Sequence, residues 1–260
     1  MKCRMDGRTA LITGGSLGLG YAMAEAFISA GAEVAIVARR KEILEQAKEA
    51  LATSGSTRVE SYVCDVSKPE DINAMFERVL NDFGKVDVLV NNAGFANHGS
   101  IESLTDEDWQ YDIDLKLMSA IRLSRLVLPG MKERRWGRII NMLNTMAKAP
   151  MARSAPTSVT RAAGMAFTKV LASECAPFNI LVNSFNIGRI KSDQIQRAWE
   201  ASGSNLDYDE FVKEAGKAIP LGRFGEAEEC ANLALFLCSD EGGYITGTSI
   251  NVDGGLSPVV

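Results

Sequence analysis

Histidine is nearly absent from this sequence of 260 residues, and its five cysteines are scattered. The single histidine, His98, cannot form a histidine-rich metal site. No C-x-x-C pair occurs, so the sequence predicts neither a disulfide framework nor a cysteine zinc site. Isolated free thiols are typical of proteins in a reducing compartment. We therefore expect no bound metal and a cytoplasmic location.

Long apolar runs and an excess of positive charge are also missing. The most apolar stretch, residues 21–38, contains Glu25 and Glu33, so it falls short of the roughly 18 uncharged residues of a membrane-spanning helix. Residues 1–8 contain no apolar run of the kind found in signal peptides. The net charge of −5 argues against nucleic acid or an anionic membrane as a partner.

Short apolar segments alternate with segments of helical periodicity along most of the chain. The predicted strands cover residues 9–13, 34–37, 59–63, 86–90, 138–142, 180–183 and 249–252. The predicted helices cover residues 21–30, 42–52, 69–83, 106–134 with a break near Pro129, 159–176 and 227–239. Such alternation is typical of a parallel sheet with helices on both faces. The sequence therefore predicts an α/β fold, a Rossmann-like doubly wound parallel sheet that forms a single domain over residues 1–260.

Two local expectations accompany this fold. Ser67 is placed to cap the helix that Pro69 opens. Residues 191–220 are polar and irregularly patterned, which is typical of a substrate or lid loop. Aromatic residues in this loop suggest an apolar lining for a substrate pocket: Trp199, Tyr208 and Phe211.

A glycine-rich segment, Thr13–Gly20, lies between the first predicted strand and the first predicted helix. Glycines at Gly14, Gly18 and Gly20 let the backbone turn tightly and approach a phosphate, at which the helix N-terminus points its amides. The spacing G-x-x-x-G-x-G differs from G-x-G-x-x-G, and the Gly-Lys-Ser/Thr ending of a P-loop is absent. A plain tight turn is the alternative. The position in the first strand–helix unit favours phosphate binding.

The end of the second predicted strand carries two cations. Arg39 and Arg40 follow it, and no acidic residue does. In dinucleotide-binding folds an acid at this place binds the ribose of NAD, whereas a cation accommodates the 2′-phosphate of NADP. Two ordinary surface arginines are the alternative. The sequence favours NADP(H) over NAD(H).

A hydrolase is a competing interpretation of the same segment. Gly14–Gly18 also fits G-x-S-x-G, with Ser16 as the nucleophile and with Asp65 and His98 following in triad order. That motif follows several strands, because an oxyanion loop must come first. Only one predicted strand precedes Ser16, which disfavours this alternative.

Several segments in order make the chain resemble the short-chain dehydrogenase/reductase family over essentially its whole length. They are Thr13–Gly20, Cys64–Val66, Asn91–Gly94, Val182–Asn183, Ile245–Gly247 and Asn251–Gly255. The resemblance implies hydride transfer between NADP(H) and a small-molecule carbonyl or alcohol, in a homotetramer or homodimer. It also implies a set of cofactor-binding residues: Gly14, Ser16, Leu17, Gly18, Gly20, Arg39, Arg40, Asp65, Val66, Asn92, Ala93, Gly94, Arg161, Gly188, Ile190 and Ser192.

The four catalytic positions of the family hold other residues in this chain. Asn144 stands at the serine position, Thr157 at the tyrosine, Arg161 at the lysine and Lys116 at the asparagine. No Tyr-x-x-x-Lys occurs anywhere in the sequence. In the family the tyrosine transfers the proton, and the lysine four residues later lowers the pKa of that tyrosine. We therefore expect an altered proton-transfer apparatus.

The substituted residues differ in what they can do. The hydroxyl of Thr157 is a poor acid, and Arg161 stays protonated, so Arg161 can anchor a ribose or polarise a carbonyl. Asn144 can donate a hydrogen bond to a developing alkoxide. Lys116 can titrate, and a neighbouring Arg161 would lower its pKa. His98, in the loop after Gly94, is either a surface residue or a proton donor.

Two functions follow from these substitutions. The first is an NADP(H)-dependent oxidoreductase with an altered proton donor. The second is a catalytically inactive cofactor-binding protein that acts as a sensor, a scaffold or an inactive subunit. In the second, Lys116 would be a solvated helix residue and Thr157 would merely begin a helix.

Overall fold

The computed structural model describes residues 3–260, without the side chains of residues 193 and 194. Its strands are β1 (Thr9–Thr13), β2 (Glu33–Ala38), β3 (Val59–Val63), β4 (Val88–Asn91), β5 (His98–Gly99), β6 (Gly137–Asn144), β7 (Ala155–Pro156), β8 (Ile180–Ile187) and β9 (Ser249–Val252). Within the described residues, seven of them form one parallel sheet in the order β3-β2-β1-β4-β6-β8-β9. The predicted strands and the predicted parallel sheet are confirmed. The short β5 and β7 pair antiparallel outside this sheet.

Helices cover both faces of the sheet. They are α1 (Gly18–Ser29), α2 (Lys41–Leu51), α3 (Pro69–Phe83), α4 (Asp106–Ile113), α5 (Ser119–Arg134), α6 (Thr157–Cys175), α7 (Asp193–Ser202), α8 (Tyr208–Gly216) and α9 (Ala227–Cys238). Ile12 of β1 packs in one apolar cluster with residues of α1 and α9, and Leu11 packs in a second with residues of α3, α5 and α6. Successive residues of a strand face opposite sides, which explains this division. In residues 3–260 no helix has the length and apolarity needed to cross a membrane.

Three local predictions are wrong. The predicted helix over 106–134 is interrupted by a π-helical segment, Asp114–Met118, and continues through Pro129. Pro129 is exposed, so solvent can bond the carbonyl group that its ring leaves free. Residues 191–220 form α7 and α8 rather than an irregular loop. Ser67 does not cap α3, because its hydroxyl donates instead to a carboxylate oxygen of Asp65 at 2.8 Å.

The sheet order places a crevice between β1 and β4, which are neighbours in the sheet. Chain connections run outward from β1 to β2 and β3 on one side, and through β4 to β6 and β8 on the other. In open parallel sheets ligands bind at such a point, beyond the carboxyl ends of the strands. The loops that follow β1, β2, β4, β6 and β8 all meet at this edge.

Candidate functional site

A cavity of about 1360 Å³ lies at the carboxyl edge of the sheet. Single small-molecule pockets usually have volumes of about 300–1,000 Å³. The larger volume therefore gives room for a dinucleotide together with a second small molecule.

The glycine-rich segment is fixed to the loop after β4. The hydroxyl oxygen of Thr13 accepts hydrogen bonds from the backbone amides of Asn92 at 2.9 Å and Ala93 at 3.0 Å. Helix α1 packs so closely that a Cβ on Gly20 would lie 2.2 Å from the carbonyl oxygen of Gly14. Among the described residues, a Cβ on Gly18 would meet only Ser192, at 3.8 Å. The backbone at Gly18 is therefore open to the cavity, as a bound pyrophosphate requires.

Most of the predicted cofactor-binding residues line this one cavity. They are Gly14, Ser16, Leu17, Gly18, Arg39, Arg40, Val66, Asn92, Ala93, Gly94, Arg161, Gly188, Ile190 and Ser192. Gly20 does not line it, because it packs against the preceding turn. Asp65 does not line it either, and its carboxylate accepts hydrogen bonds from Ser67. The lining fits a dinucleotide with an anionic group near Arg39 and Arg40.

Lys116 lies in a buried polar cluster behind the cavity wall. The π-helical segment places its side chain inside the protein, with 5% of the residue exposed. Its ammonium donates hydrogen bonds to the carboxylate of Asp112 and to the hydroxyl oxygen of Thr157, the latter at 2.6 Å. The other carboxylate oxygen of Asp112 accepts from the Thr160 hydroxyl at 2.6 Å. The interpretation of Lys116 as a solvated helix residue is therefore wrong.

Thr157 connects this cluster to the cavity. It is the first residue of α6, and its side chain lines the cavity, whereas Lys116 does not. The hydroxyl of Thr157 donates to the carbonyl oxygen of Asn97 at 2.7 Å and accepts from the Asn97 amide at 3.0 Å. Thr157 is therefore the residue that joins the buried Lys116 cluster to the cavity lining.

The pKa of Lys116 is lowered to about 8. Burial is the largest cause, since it disfavours the charged amine, and Arg161 lowers the value further. The hydrogen bond and the charge of Asp112 oppose these effects. The sequence predicts the direction of this shift but assigns it to Arg161 rather than to burial.

Two further substituted residues face the cavity. Burial lowers the pKa of Arg161 to about 10, so its guanidinium stays protonated at neutral pH. That guanidinium lies over Gly94, where a Cβ would be 2.6 Å from Nη2, and it makes no hydrogen bond with the described residues. The side-chain oxygen of Asn144 is buried and has no hydrogen-bond partner among the described residues. Both side chains retain hydrogen-bonding capacity for a ligand.

His98 also lines the cavity, at its exposed side, through the pairing of β5 with β7. Partial burial, followed by the charge of Lys116, lowers the pKa of the His98 imidazole below its ordinary value. Among the described residues no group of histidine, cysteine and acidic side chains suits a metal ion.

The sequence analysis misses several residues of the site. Asp112 and Asn97 contact the substituted positions, and the spacing of Asp112 and Lys116, four residues apart on a helix, was the available signal. The predicted aromatic lining is wrong: Tyr208 and Phe211 pack against a separate small core. Other apolar residues line the cavity: Phe95, Met146, Met151, Ile195, Leu256 and Pro258.

Comparison with known proteins agrees with this geometry. A family profile described as enoyl-(acyl carrier protein) reductase matches residues 14–257. The 3-oxoacyl-(acyl-carrier-protein) reductase of Aquifex aeolicus is 34% identical over 256 residues, which are 98% of this chain and 100% of that protein. The chain belongs to the short-chain dehydrogenase/reductase family.

Solved structures of short-chain dehydrogenases/reductases superpose closely on this one. L-sorbose reductase from Gluconobacter frateurii, complexed with NADPH and L-sorbose, has a TM-score of 0.95 and 38% identity, with 100% of both chains covered. An NADPH-bound short chain oxidoreductase from Pseudomonas aeruginosa PAO1, which contains an atypical catalytic center, has a TM-score of 0.92 and 35% identity, with 99% of each chain covered.

Proposed function

We propose that this chain is an NADP(H)-dependent oxidoreductase that interconverts a small-molecule carbonyl and alcohol, with Lys116 acting through Thr157 as the proton source. The observation that carries this proposal is the 2.6 Å hydrogen bond from the Lys116 ammonium to the Thr157 hydroxyl. It joins a buried amine with a pKa of about 8 to a hydroxyl on the cavity wall. The NADPH complexes of the similar structures support the choice of cofactor.

Binding of the cofactor falls to the residues around the crevice. Arg39 and Arg40 hold the 2′-phosphate, and the open backbone at Gly18 together with the N-terminus of α1 holds the pyrophosphate. Arg161 contacts the nicotinamide ribose from its position over Gly94. The bound cofactor supplies the hydride in reduction and removes it in oxidation.

The proton follows the hydrogen bonds of the buried cluster. During reduction the carbonyl oxygen gains negative charge as its carbon gains the hydride. Thr157 then turns its hydroxyl proton from the Asn97 carbonyl to that oxygen, gives it up, and takes a proton from Lys116. The hydroxyl alone is too weak an acid, so Lys116 is the acid of the pair, and a pKa near the working pH suits that task. The neutral amine of Lys116 afterwards regains a proton through Thr157, once the product has left and water has entered the cavity.

Asn144 and Arg161 stabilise the charge that develops on the substrate oxygen. Both residues line the cavity, and no hydrogen bond with the described residues uses the guanidinium of Arg161 or the Nδ2 amide group of Asn144, which is the donor of that side chain. Donors positioned in advance around a developing oxyanion contribute a large part of catalysis.

The decisive experiment compares Thr157→Val with Thr157→Ser. NADPH and NADH are first titrated by fluorescence, and carbonyl compounds are then screened by NADPH oxidation. We expect Thr157→Val to lower kcat by about 100-fold or more with unchanged NADPH affinity, while Thr157→Ser keeps most activity. Equal activity of Thr157→Val and wild type would overturn the proton route. Activity that appears only after Thr157→Tyr with Arg161→Lys would identify the native protein as an inactive cofactor-binding protein.

A further inference from the structure

The cavity has a charge opposite to that of the protein as a whole. Acidic residues outnumber basic ones by 33 to 28 along the chain. The lining residues that the structure describes nevertheless include no aspartate or glutamate and six arginines: Arg39, Arg40, Arg153, Arg161, Arg189 and Arg197. A concave site lined by one sign of charge concentrates ligands of the other sign. The cavity therefore favours anions.

The arginines belong to two separate places along the sheet edge. Arg39 and Arg40 follow β2, whereas Arg153 and Arg189 follow β6 and β8. β2 and β6 are three strands apart in the sheet order, or about 14 Å at the usual strand spacing. One compact anion cannot contact both groups. The cations beyond β6 and β8 therefore lie apart from the pair expected to hold the 2′-phosphate.

Within this second group, Arg153 gives the strongest indication of a ligand. Its φ of 63° lies in the left-handed region, which disfavours residues with a Cβ. Its side chain is exposed at the cavity and makes no hydrogen bond or ion pair with the described residues. Unusual backbone conformations of this kind cluster at ligand-binding positions. Among the described residues, no contact explains why the Arg153 guanidinium lies at the cavity.

Arg189 adds a second available cation. Its Nη1 donates a long hydrogen bond of 3.5 Å to the carbonyl oxygen of Ala215, and its guanidinium lies 5.9 Å from the centre of the Phe224 ring. No carboxylate of the described residues pairs with it. A guanidinium has five donors, so most of them remain free for a ligand.

We propose that the carbonyl substrate carries an oxyanion, a carboxylate or a phosphate group, which Arg153 and Arg189 bind while its carbonyl lies at Thr157. This inference rests on the proposed function. The cavity lining near these cations in sequence is mixed, with apolar residues such as Met146 and Met151 beside polar ones such as Thr145 and Ser154. The substrate is therefore a small carbonyl compound with one anionic end.

The test measures binding by calorimetry to the protein saturated with NADP⁺, which has no hydride to transfer to the carbonyl, using two matched pairs. The first pair is 4-oxopentanoate and its methyl ester, and the second is dihydroxyacetone phosphate and dihydroxyacetone. We expect the anionic member of at least one pair to bind about tenfold or more tightly than its neutral partner, because hydrogen bonds to charged groups are strong. The pair that shows the preference identifies the anion as carboxylate or phosphate.

Variants test whether Arg153 and Arg189 cause the preference for the anionic member of a pair. Arg153→Gln and Arg189→Gln should each reduce it, and the double variant should abolish it. Arg135→Gln is the matched control, since Arg135 also has a left-handed φ, of 51°, and an exposed side chain but lies outside the cavity. Equal or undetectable binding of both members in both pairs, or a preference that survives the double variant, would overturn the inference.

Failure of the proposed function has a different signature. NADPH affinity is measured separately, by fluorescence, on the same samples. Absence of NADPH binding would contradict the oxidoreductase, and the anion comparison would then be made on the protein alone with the same variants and the same criteria. NADPH binding without any anion preference would leave the oxidoreductase intact and refute only the substrate class.

Discussion

Replacing Asp112 by asparagine should change the pH at which reduction slows. The Asp112 carboxylate is buried and contacts the Lys116 ammonium, whose pKa it raises. Burial and Arg161 both lower the pKa of Lys116. Asp112→Asn removes the opposing negative charge and keeps a side chain of nearly the same shape. The pKa of Lys116 should then fall below its present value of about 8.

The sign and size of the effect follow from which form of Lys116 reacts. Reduction needs the protonated amine, so the wild-type rate should be constant below about pH 8 and fall about tenfold per pH unit above it. An opposite charge in contact shifts a pKa by about 1–3 units. The pH above which the reduction rate of Asp112→Asn falls should therefore move to about pH 5–7. Oxidation needs the neutral amine, so its rate should rise with pH through the same value.

The assay is kcat for reduction and for oxidation across the pH range, with circular dichroism and NADPH affinity measured on each sample. Asp114→Asn is the matched control, because Asp114 lies two residues after Asp112, at the start of the π-helical segment, but pairs with Arg122 at 2.9 Å. Its profile should match wild type. If the reduction and oxidation rates of a folded Asp112→Asn variant still changed near pH 8, Lys116 would not be the titrating acid.

Two further predictions concern the cofactor end of the cavity and the packing beneath it. Arg39→Ala with Arg40→Ala should weaken NADPH binding by about tenfold or more and leave NADH binding unchanged, as measured by fluorescence titration; equal losses for the two cofactors would contradict the role of these arginines. Gly20→Ala should destabilise the protein to urea by about 1–3 kcal/mol, because the new Cβ would lie 2.2 Å from the backbone oxygen of Gly14. Gly130→Ala, whose Cβ would meet only a flexible arginine side chain, should be neutral or slightly stabilising, and an equal loss in both variants would count against the packing argument.

The homotetramer or homodimer stays a prediction. Two valines on α6, Val159 and Val170, are more than half exposed, at 52% and 58%. Sedimentation of the purified protein would determine the oligomeric state.

The local pattern of the sequence was sufficient for the fold. Continuous β-branched segments such as residues 34–37 predict strands buried on both faces, because each residue must suit an apolar neighbour on its own side. The glycine-rich segment after β1 likewise predicts a tight turn. The structure gives the reason for one of its glycines, because Gly20 has no room for a Cβ. These features depend on neighbours in sequence or on a repeating period. They are therefore readable from the chain itself.

The chemistry of the site was decided by tertiary structure. Sequence alone singles out Lys116, Thr157 and Arg161 as substitutions at important positions, but their contacts join residues about 40 positions apart. The π-helical segment turns Lys116 inward, and burial rather than a neighbouring charge sets most of its pKa. The periodicity of a sequence does not show how far a charged group is removed from water, because this depends on every element packed around the group. Composition likewise gives a net charge of −5, while only folding gathers six arginines around one cavity.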